Sequence, residues 1–124
     1  MIYAHWREFD GEWEWPNFTA EELSCKCCGE YYHDSDSLDY LQESREILGV
    51  PFKINSAHRC VDHNARVGGA PQSQHLKIAF DIRKGELDPE ELYDHFDKEY
   101  EDFAGVGIYS WGVHVDFRDK KARW

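Results

Sequence analysis

The pattern of apolar and polar residues along the chain predicts two long helices. In residues 35–48, "SDSLDYLQESREIL", apolar residues recur at helical spacing, and Gly49 follows as a residue that commonly ends helices. The predicted apolar stripe of this first helix consists of Leu38, Leu41, Ile47 and Leu48. In residues 88–100, "DPEELYDHFDKEY", Asp88 suits the N-cap and Pro89 suits the first helical position. The predicted apolar face of this second helix consists of Leu92, Phe96 and Tyr100.

Shorter segments predict strands. Residues 50–57, "VPFKINSA", alternate between apolar and polar side chains, and residues 76–82, "LKIAFDI", are rich in β-branched and aromatic side chains. Residues 105–118, "GVGIYSWGVHVDFR", predict a hairpin that turns at Ser110, Trp111 and Gly112. The resulting order of helix, strand, strand, helix, strand, strand predicts an α+β fold with helices packed on a small antiparallel sheet.

The remaining segments connect these elements. Residues 1–18 are irregular and rich in aromatic side chains, and we expect them to wrap the core as an extended arm. "TAEE" at residues 19–22 has the form of a capping box that begins a short helix. Residues 58–72 predict a loop with one helical turn, since glycines and a proline close this segment. A chain of 124 residues is expected to form one domain, residues 1–124.

Composition and charge restrict the partners. The chain has 25 acidic and 14 basic residues, and the net charge of −11 argues against binding to nucleic acid. No run of 18 apolar residues is present, so no transmembrane helix and no membrane partner are expected. The first residues lack the basic and apolar stretches of a secretory signal, so the expected site of synthesis and storage is the cytoplasm. We expect a monomer.

Four cysteines leave three alternatives open. Cys25, Cys27 and Cys28 lie in "CKCC", and Cys60 lies far along the chain. Reduced thiols are the default expectation, because adjacent cysteines form poor disulfides and no secretory signal is present. The first alternative is one disulfide from Cys60 to the cluster. The second is a structural zinc bound by all four cysteines, although their spacing matches no standard zinc motif.

The predicted strands carry candidate metal ligands. His114 and Asp116 share one face of their strand, since side chains alternate along a strand. In "SQHLKIAFD", residues 73–81, His75 precedes a strand and Asp81 ends it. If the two strands are neighbours, His75, Asp81 and His114 converge, and two imidazoles with one carboxylate and an open position are typical of catalytic zinc. The alternative is a pair of strands with partly exposed polar residues.

These motifs together resemble a known family. "SQHLKIAFD" is similar to Ser-x-His-x-x-Gly-x-Ala-x-Asp of the D-Ala-D-Ala carboxypeptidase-type zinc peptidases, and "GVGIYSWGVHVDFR" resembles their late histidine segment. "INSAHRCVDHNARVGGAPQSQH" resembles the segment that precedes the first motif, and "FTAEELSCKC" resembles the opening of a compact branch of that family. The resemblance covers residues 18–118 and implies the α+β fold of these peptidases, which act on peptidoglycan and include phage endolysins.

The resemblance implies roles for individual residues. His75, Asp81 and His114 would bind Zn²⁺, and Arg59 would hold a carboxylate or carbonyl of the substrate. If the resemblance is set aside, the favoured interpretation of Arg59 is a surface arginine paired with an acid such as Asp62. Ser73 would orient the site or the substrate, or simply cap the strand. Asp116 would hold a ligand histidine or assist proton transfer, with a solvated carboxylate as the alternative.

Three departures from the family pattern lead to further expectations. His75 and Asp81 are six positions apart instead of the usual seven, so the turn after His75 must absorb the missing residue. Trp111 occupies the position where several relatives carry an acidic general base. Asp116 is therefore the first candidate for that base, followed by His58 or a glutamate elsewhere in the chain. His58 also replaces the family's tyrosine beside Arg59, and either contacts substrate or packs.

The sequence therefore predicts a zinc metallopeptidase that hydrolyses peptide bonds in peptidoglycan stem peptides or cross-links. The small size of the chain fits a phage-type endolysin or virion-associated lysin, which another component delivers to the cell wall. The main alternative is a catalytically silent zinc-binding module of the same fold. In a further alternative, the cysteine cluster is the functional metal site and the histidines are bystanders.

Overall fold

A computed structural model describes residues 1–124, and its elements follow in an order that confirms the predicted fold class. The strands are β1 (Ile2–Tyr3), β2 (Tyr31–Tyr32), β3 (Lys53–Ser56), β4 (Phe80–Arg83), β5 (Gly105–Tyr109), β6 (Gly112–Asp116) and β7 (Ala122–Arg123). The α-helices are α1 (Ser35–Leu48), α2 (Val61–Arg66) and α3 (Pro89–Glu99). Short 3₁₀ turns cover Trp6–Glu8 and Gln74–Leu76.

The two long helices begin and end for local reasons. Helix α1 ends at Gly49, whose φ of 67° is the left-handed conformation that glycine adopts without strain. Helix α3 begins with a complete capping box, in which Asp88 Oδ1 accepts the Glu91 N–H at 2.8 Å and Glu91 Oε1 accepts the Asp88 N–H at 3.2 Å. None of the helices combines the length and the apolar character required to cross a membrane.

The strands form one five-stranded sheet and one small pair. The larger sheet has the order β3-β4-β6-β5-β7, and every pairing is antiparallel except that of β5 with β7. In the pairing of β4 with β6, Asp81 lies directly opposite His114. Strands β1 and β2 pair separately and attach the N-terminal arm to the body of the protein. The register between β4 and β6 thus brings two of the predicted ligands together.

One face of the larger sheet carries the core. Nineteen buried apolar residues form a continuous cluster, which includes Phe80, Ile82, Val113 and Val115 from the two central strands. The side chains that alternate with them, Asp81 and His114, lie on the opposite face. The core packs against one face of the two central strands. The opposite face carries the polar side chains of Asp81 and His114.

The structure corrects several local expectations. Ile47 of the predicted helix stripe is 56% exposed, because it lies on the side of α1 that faces solvent. The capping-box hydrogen bonds between Thr19 and Glu22 form, but the segment makes a turn without a helix. The predicted strand 76–82 starts only at Phe80, since Leu76 belongs to the 3₁₀ turn. The parallel strand β7 lies outside the predicted elements.

Removal of the α3 cap is expected to destabilise the protein modestly. Asp88→Ala removes the acceptor for the Glu91 N–H, and we expect the free energy of unfolding to fall by ~1 kcal/mol. Urea unfolding followed by circular dichroism measures this change. Asp94→Ala, an exposed position within the same helix, is the matched control and should change the stability by less than ~0.5 kcal/mol. Equal effects of both substitutions would contradict the capping role.

Candidate metal centre

Three side chains from three separate elements meet on the polar face of the sheet. His75 comes from the 3₁₀ turn Gln74–Leu76, Asp81 from β4 and His114 from β6. One ligand atom from each lies within 4.8 Å of the other two. His75 Nε2 lies 3.2 Å from Asp81 Oδ2, and His114 Nδ1 lies 3.2 Å from Asp81 Oδ1. The convergence predicted from the sequence is therefore present in the structure.

The backbone of neighbouring segments orients His75. The ring is 3% exposed, and its Nδ1–H donates to the backbone carbonyl of Ala57 at 2.6 Å. This bond leaves Nε2 facing Asp81 Oδ2, on the side where a metal would bind. The hydroxyl oxygen of Ser73 accepts the backbone N–H of His75 at 3.1 Å and so caps the turn that carries the ring. The structure thus shows the capping contact of Ser73, and its role in orienting the site or the substrate stays a prediction.

Asp116 lies behind His114. The Asp116 carboxylate is 1% exposed, and its Oδ2 accepts the Nε2–H of His114 at 2.7 Å. Arg118 donates to both oxygens of the same carboxylate at 2.7 Å. Such a carboxylate fixes the tautomer of the imidazole and leaves Nδ1 available as a ligand. This arrangement suits an orienting role for Asp116, and its direct part in proton transfer stays a prediction.

Hydrogen bonds within the cluster stabilise the charged forms of Asp81 and His114. Burial disfavours the ionised form of Asp81, but hydrogen bonds from His114 and His75 outweigh burial and hold its pKa well below the usual range. Burial also disfavours the charged form of His114, and the hydrogen bonds to Asp116 and Asp81 reverse this effect and raise its pKa. A cation between two imidazole nitrogens and one carboxylate satisfies all three groups at once. The donor set of two nitrogens and one oxygen fits Zn²⁺ with an open fourth position.

Arg59 lies beside the cluster and is held in a defined position. Its Nη2 is 3.6 Å from Asp81 Oδ2, its Nη1 donates to Asn64 Oδ1 at 3.0 Å, and its Nε donates to Ser56 Oγ at 3.2 Å. A Cβ atom at Gly69 would lie 2.9 Å from Arg59 Nη1 and closer still to the Asn64 amide, so the close approach requires glycine there. The guanidinium is thus fixed at the edge of the cleft.

A cleft of about 450 Å³ opens onto the three side chains. Aromatic side chains form one wall, with Tyr109 stacked on Trp111 at 4.9 Å between ring centroids. Trp124 donates its indole N–H to the hydroxyl of Tyr109 at 2.6 Å, and its ring lies 5.2 Å from that of His114. Asp81 is the sole acidic side chain that lines this cleft. The site therefore combines a potential metal position, a fixed cation and an aromatic wall.

The structure does not bring His58 to the cleft. Its ring is 2% exposed, with Nδ1 2.6 Å from the Lys77 carbonyl oxygen and Nε2 2.7 Å from Glu30 Oε1. Both nitrogens are engaged by groups of the protein interior, and the ring packs against Tyr32. Of the two expectations for His58, the structure shows the packing contacts.

Sequence reasoning missed the contribution of the last residues to the cleft. Trp124 follows β7 and packs over β5, where a Cβ atom at Gly107 would collide with the indole ring. A glycine inside a predicted strand can indicate the close approach of another group. Gly107 was therefore the available signal, although it did not identify the group that approaches.

Replacement of Asp116 is expected to weaken metal binding without removing a ligand. In Asp116→Asn, the His114 Nε2–H loses its charged acceptor, and we expect the dissociation constant for Zn²⁺ at this site to rise ~10–100-fold. Competition with a chromophoric chelator measures the constant. Asp119→Asn, an exposed position of the same charge, serves as control and should bind as the unchanged chain does. An unchanged constant in Asp116→Asn would contradict the orienting role.

A comparison with family models places the chain among known proteins. A family model described as Peptidase M15 matches residues 16–116, which include His75, Asp81, His114 and Arg59. No curated protein matches the chain in a sequence search.

Proposed function

The chain belongs to the peptidase M15 family of metal-dependent peptidases, and from this premise we propose that it is a zinc peptidase that hydrolyses peptide bonds in peptidoglycan stem peptides or cross-links. The observation that carries the proposal is the convergence of His75, Asp81 and His114 at a cleft within the matched segment. These three residues would hold the zinc. A bound zinc would supply Lewis-acid polarisation of the scissile carbonyl and activation of water for attack.

Arg59 would bind the substrate. Its guanidinium is always charged and planar, which suits a carboxylate through two parallel hydrogen bonds. Asn64 and Ser56 hold two of its nitrogens, so the guanidinium is oriented before substrate arrives. We propose that Arg59 holds a carboxylate of the stem peptide or stabilises negative charge that develops on its carbonyl oxygen.

The aromatic wall would position the peptide and exclude water. Trp111 and Trp124 present flat apolar surfaces to the cleft, and Tyr109 connects them by stacking on Trp111 and by its hydrogen bond with Trp124. Apolar side chains at a cleft lower the local dielectric constant, which strengthens the interaction of Arg59 with an anionic group. The wall and the arginine together favour a ligand with both an apolar portion and a carboxylate.

A second candidate function rests on the lack of a further acidic side chain in the cleft. No acidic side chain besides Asp81 lines it. By the resemblance to the family, Trp111 occupies the position of the expected general base. Asp116 remains the first candidate for proton transfer, acting through His114. If no group accepts the proton, the protein is a catalytically silent zinc-binding module of the same fold, which binds the peptide without cleaving it.

The experiment incubates the purified, zinc-loaded chain with peptidoglycan and measures new free amino groups. The proposal expects a rise in amino groups that depends on the protein, and mass spectrometry of the products identifies the bond that is cut and whether cleavage is terminal or internal. A chain that holds zinc in the cleft but releases no amine would support the silent module. We further propose that the protein acts as a monomer, made in the cytoplasm and delivered to the cell wall as a phage-type lysin.

A further inference from the structure

A second cluster of metal-binding side chains lies apart from the cleft. The sulfur atoms of Cys25, Cys27, Cys28 and Cys60 all lie within 4.8 Å of one another. Cys27 Sγ is 3.6 Å from Cys25 Sγ and 3.5 Å from Cys60 Sγ. None of the four contributes to the lining of the cleft that contains His75. Four thiols from two distant segments therefore converge at one point.

We propose that these four cysteines form a structural zinc site. In a tetrahedral four-thiolate site with bonds of ~2.3 Å, the sulfur atoms lie ~3.8 Å apart. The shortest sulfur separations here, 3.5 and 3.6 Å, agree with that spacing and are far longer than the ~2.05 Å of a disulfide bond. The four thiols are unpaired in the structure. The arrangement therefore matches metal coordination better than disulfide formation.

The backbone of the cluster suits the same interpretation. The spacing of all four cysteines matches no standard zinc motif, but Cys25 and Cys28 alone are separated by two residues, as in many zinc sites. Gly29 follows with a φ of 81°. The Gly29 N–H donates to the Cys25 carbonyl at 2.9 Å and closes a tight turn, whose sulfur atoms meet that of Cys60. Cys60 approaches from the N-cap of α2, where its sulfur also accepts the backbone N–H of His63 at 3.4 Å. Both segments thus present sulfur from tightly turned backbone.

The donor set identifies the class of metal. Four thiolates in a tetrahedral arrangement select zinc or iron, and they disfavour the hard cations magnesium and calcium. All four positions are occupied by protein, so no position is left open for water or substrate, and the site is structural in character. Cys27 and Cys28 are exposed, which gives an ion a path from solvent.

The consequence of such a site is a fixed connection between the N-terminal segment and the loop that carries Arg59. Cys60 is the next residue after Arg59. The segment just before the Cys25–Cys28 turn already contacts this loop, since the His58 N–H donates to the Leu23 carbonyl at 3.2 Å. An ion bound by both segments would restrain the loop at the edge of the cleft. The proposal does not depend on peptidase activity.

The test combines metal content with a spectroscopic signature of thiolate ligands. Under reducing conditions, we expect about two zinc ions per unchanged chain, about one in the variant Cys27→Ser/Cys60→Ser and about one in the variant His75→Ala/His114→Ala. After replacement of zinc by Co²⁺, the thiolate-to-cobalt charge-transfer band should be present in the unchanged chain and the histidine variant. The band should be lost in the cysteine variant.

Lys26→Ala, an exposed position on the same turn, is the matched control and should keep the band. If the cysteine variant does not fold, two measurements on the unchanged chain still test the proposal. The charge-transfer band should be present, and bound metal should protect the thiols from alkylation. Absence of the band from the unchanged chain, or a disulfide that persists under these conditions, would overturn the proposal. A chain that shows the band but releases no amine from peptidoglycan would leave this site in place and contradict the peptidase alone.

Discussion

His75→Ala and His114→Ala are each expected to reduce peptide hydrolysis at least ~10³-fold, which corresponds to ~4 kcal/mol of lost transition-state stabilisation. Each substitution removes one of three protein ligands and leaves the Asp81 carboxylate with fewer partners in a buried position. We expect the zinc of the cleft to be lost from both variants, together with the polarisation that it would supply. Metal analysis and release of amino groups from peptidoglycan measure the two effects in the same samples.

His95→Ala is the matched control for these variants. His95 lies on α3, its Nε2 is 2.8 Å from Ser44 Oγ, and it does not line the cleft. Its replacement should leave both zinc content and hydrolysis within about twofold of the unchanged chain. Full retention of zinc in His75→Ala and in His114→Ala would show that the metal is bound elsewhere. The histidines would then be bystanders, and the cysteine cluster would become the functional metal site.

Arg59→Lys is expected to lower kcat/KM by ~10²-fold while the zinc content stays unchanged. Lysine keeps the positive charge but has no planar fork, so it cannot donate to Asn64 and Ser56 and still present two parallel donors to a substrate. The loss should appear mainly in KM if the guanidinium binds a carboxylate equally in the ground state and the transition state. It should appear mainly in kcat if the guanidinium stabilises an oxyanion.

A substrate with an amidated carboxyl end separates these roles further. If Arg59 binds that carboxylate, amidation should slow the unchanged chain and should have little additional effect on Arg59→Lys. Arg66→Lys, an exposed arginine of α2, controls for the general effect of the substitution and should retain full activity. Equal activity of Arg59→Lys and Arg66→Lys on the intact substrate would contradict the role of Arg59 in binding the substrate.

The long helices and the shared face of His114 and Asp116 were predictable because local signals specify them. Gly49 and the Asp88 capping box define one end of each long helix, and alternation in "GVHVD" assigns His114 and Asp116 to one face. Local signals of this kind do not depend on distant parts of the chain. The predicted convergence of His75, Asp81 and His114 required β4 and β6 to be neighbours, and the two strands pair in the structure.

The short spacing between His75 and Asp81 has a structural explanation. Alternation of faces applies only inside a strand, and β4 begins at Phe80, so Asp81 is just its second residue. Residues 77–79 lie between the 3₁₀ turn and the strand, outside the ladder. A missing residue in this connection changes the path of the turn and does not reverse the faces of the strand. The sequence could not give the strand boundary, because "LKIAFDI" contains no glycine, proline or other turn residue that marks where the strand begins.

Other features depended on tertiary contacts. Strand β7 has only two residues and pairs in parallel with β5, a pairing that no local pattern specifies. The packing of His58 between Glu30 and the Lys77 carbonyl likewise unites segments that are distant in sequence. The convergence of the four cysteines depended on how the turn at residues 25–28 meets the start of α2. In each case the partner was set by the fold and not by the neighbouring residues.

The position of Trp124 gives the cleft an optical probe of its own. Its indole ring lies 5.2 Å from the ring of His114, close enough for a paramagnetic ion such as Co²⁺ in the cleft to quench its fluorescence. Trp111 lines the same cleft, whereas Trp6, Trp13 and Trp15 belong to the N-terminal arm. With those three replaced by phenylalanine, the emission of the chain would report directly on the cleft, and occupancy could be followed in solution without a label or a substrate.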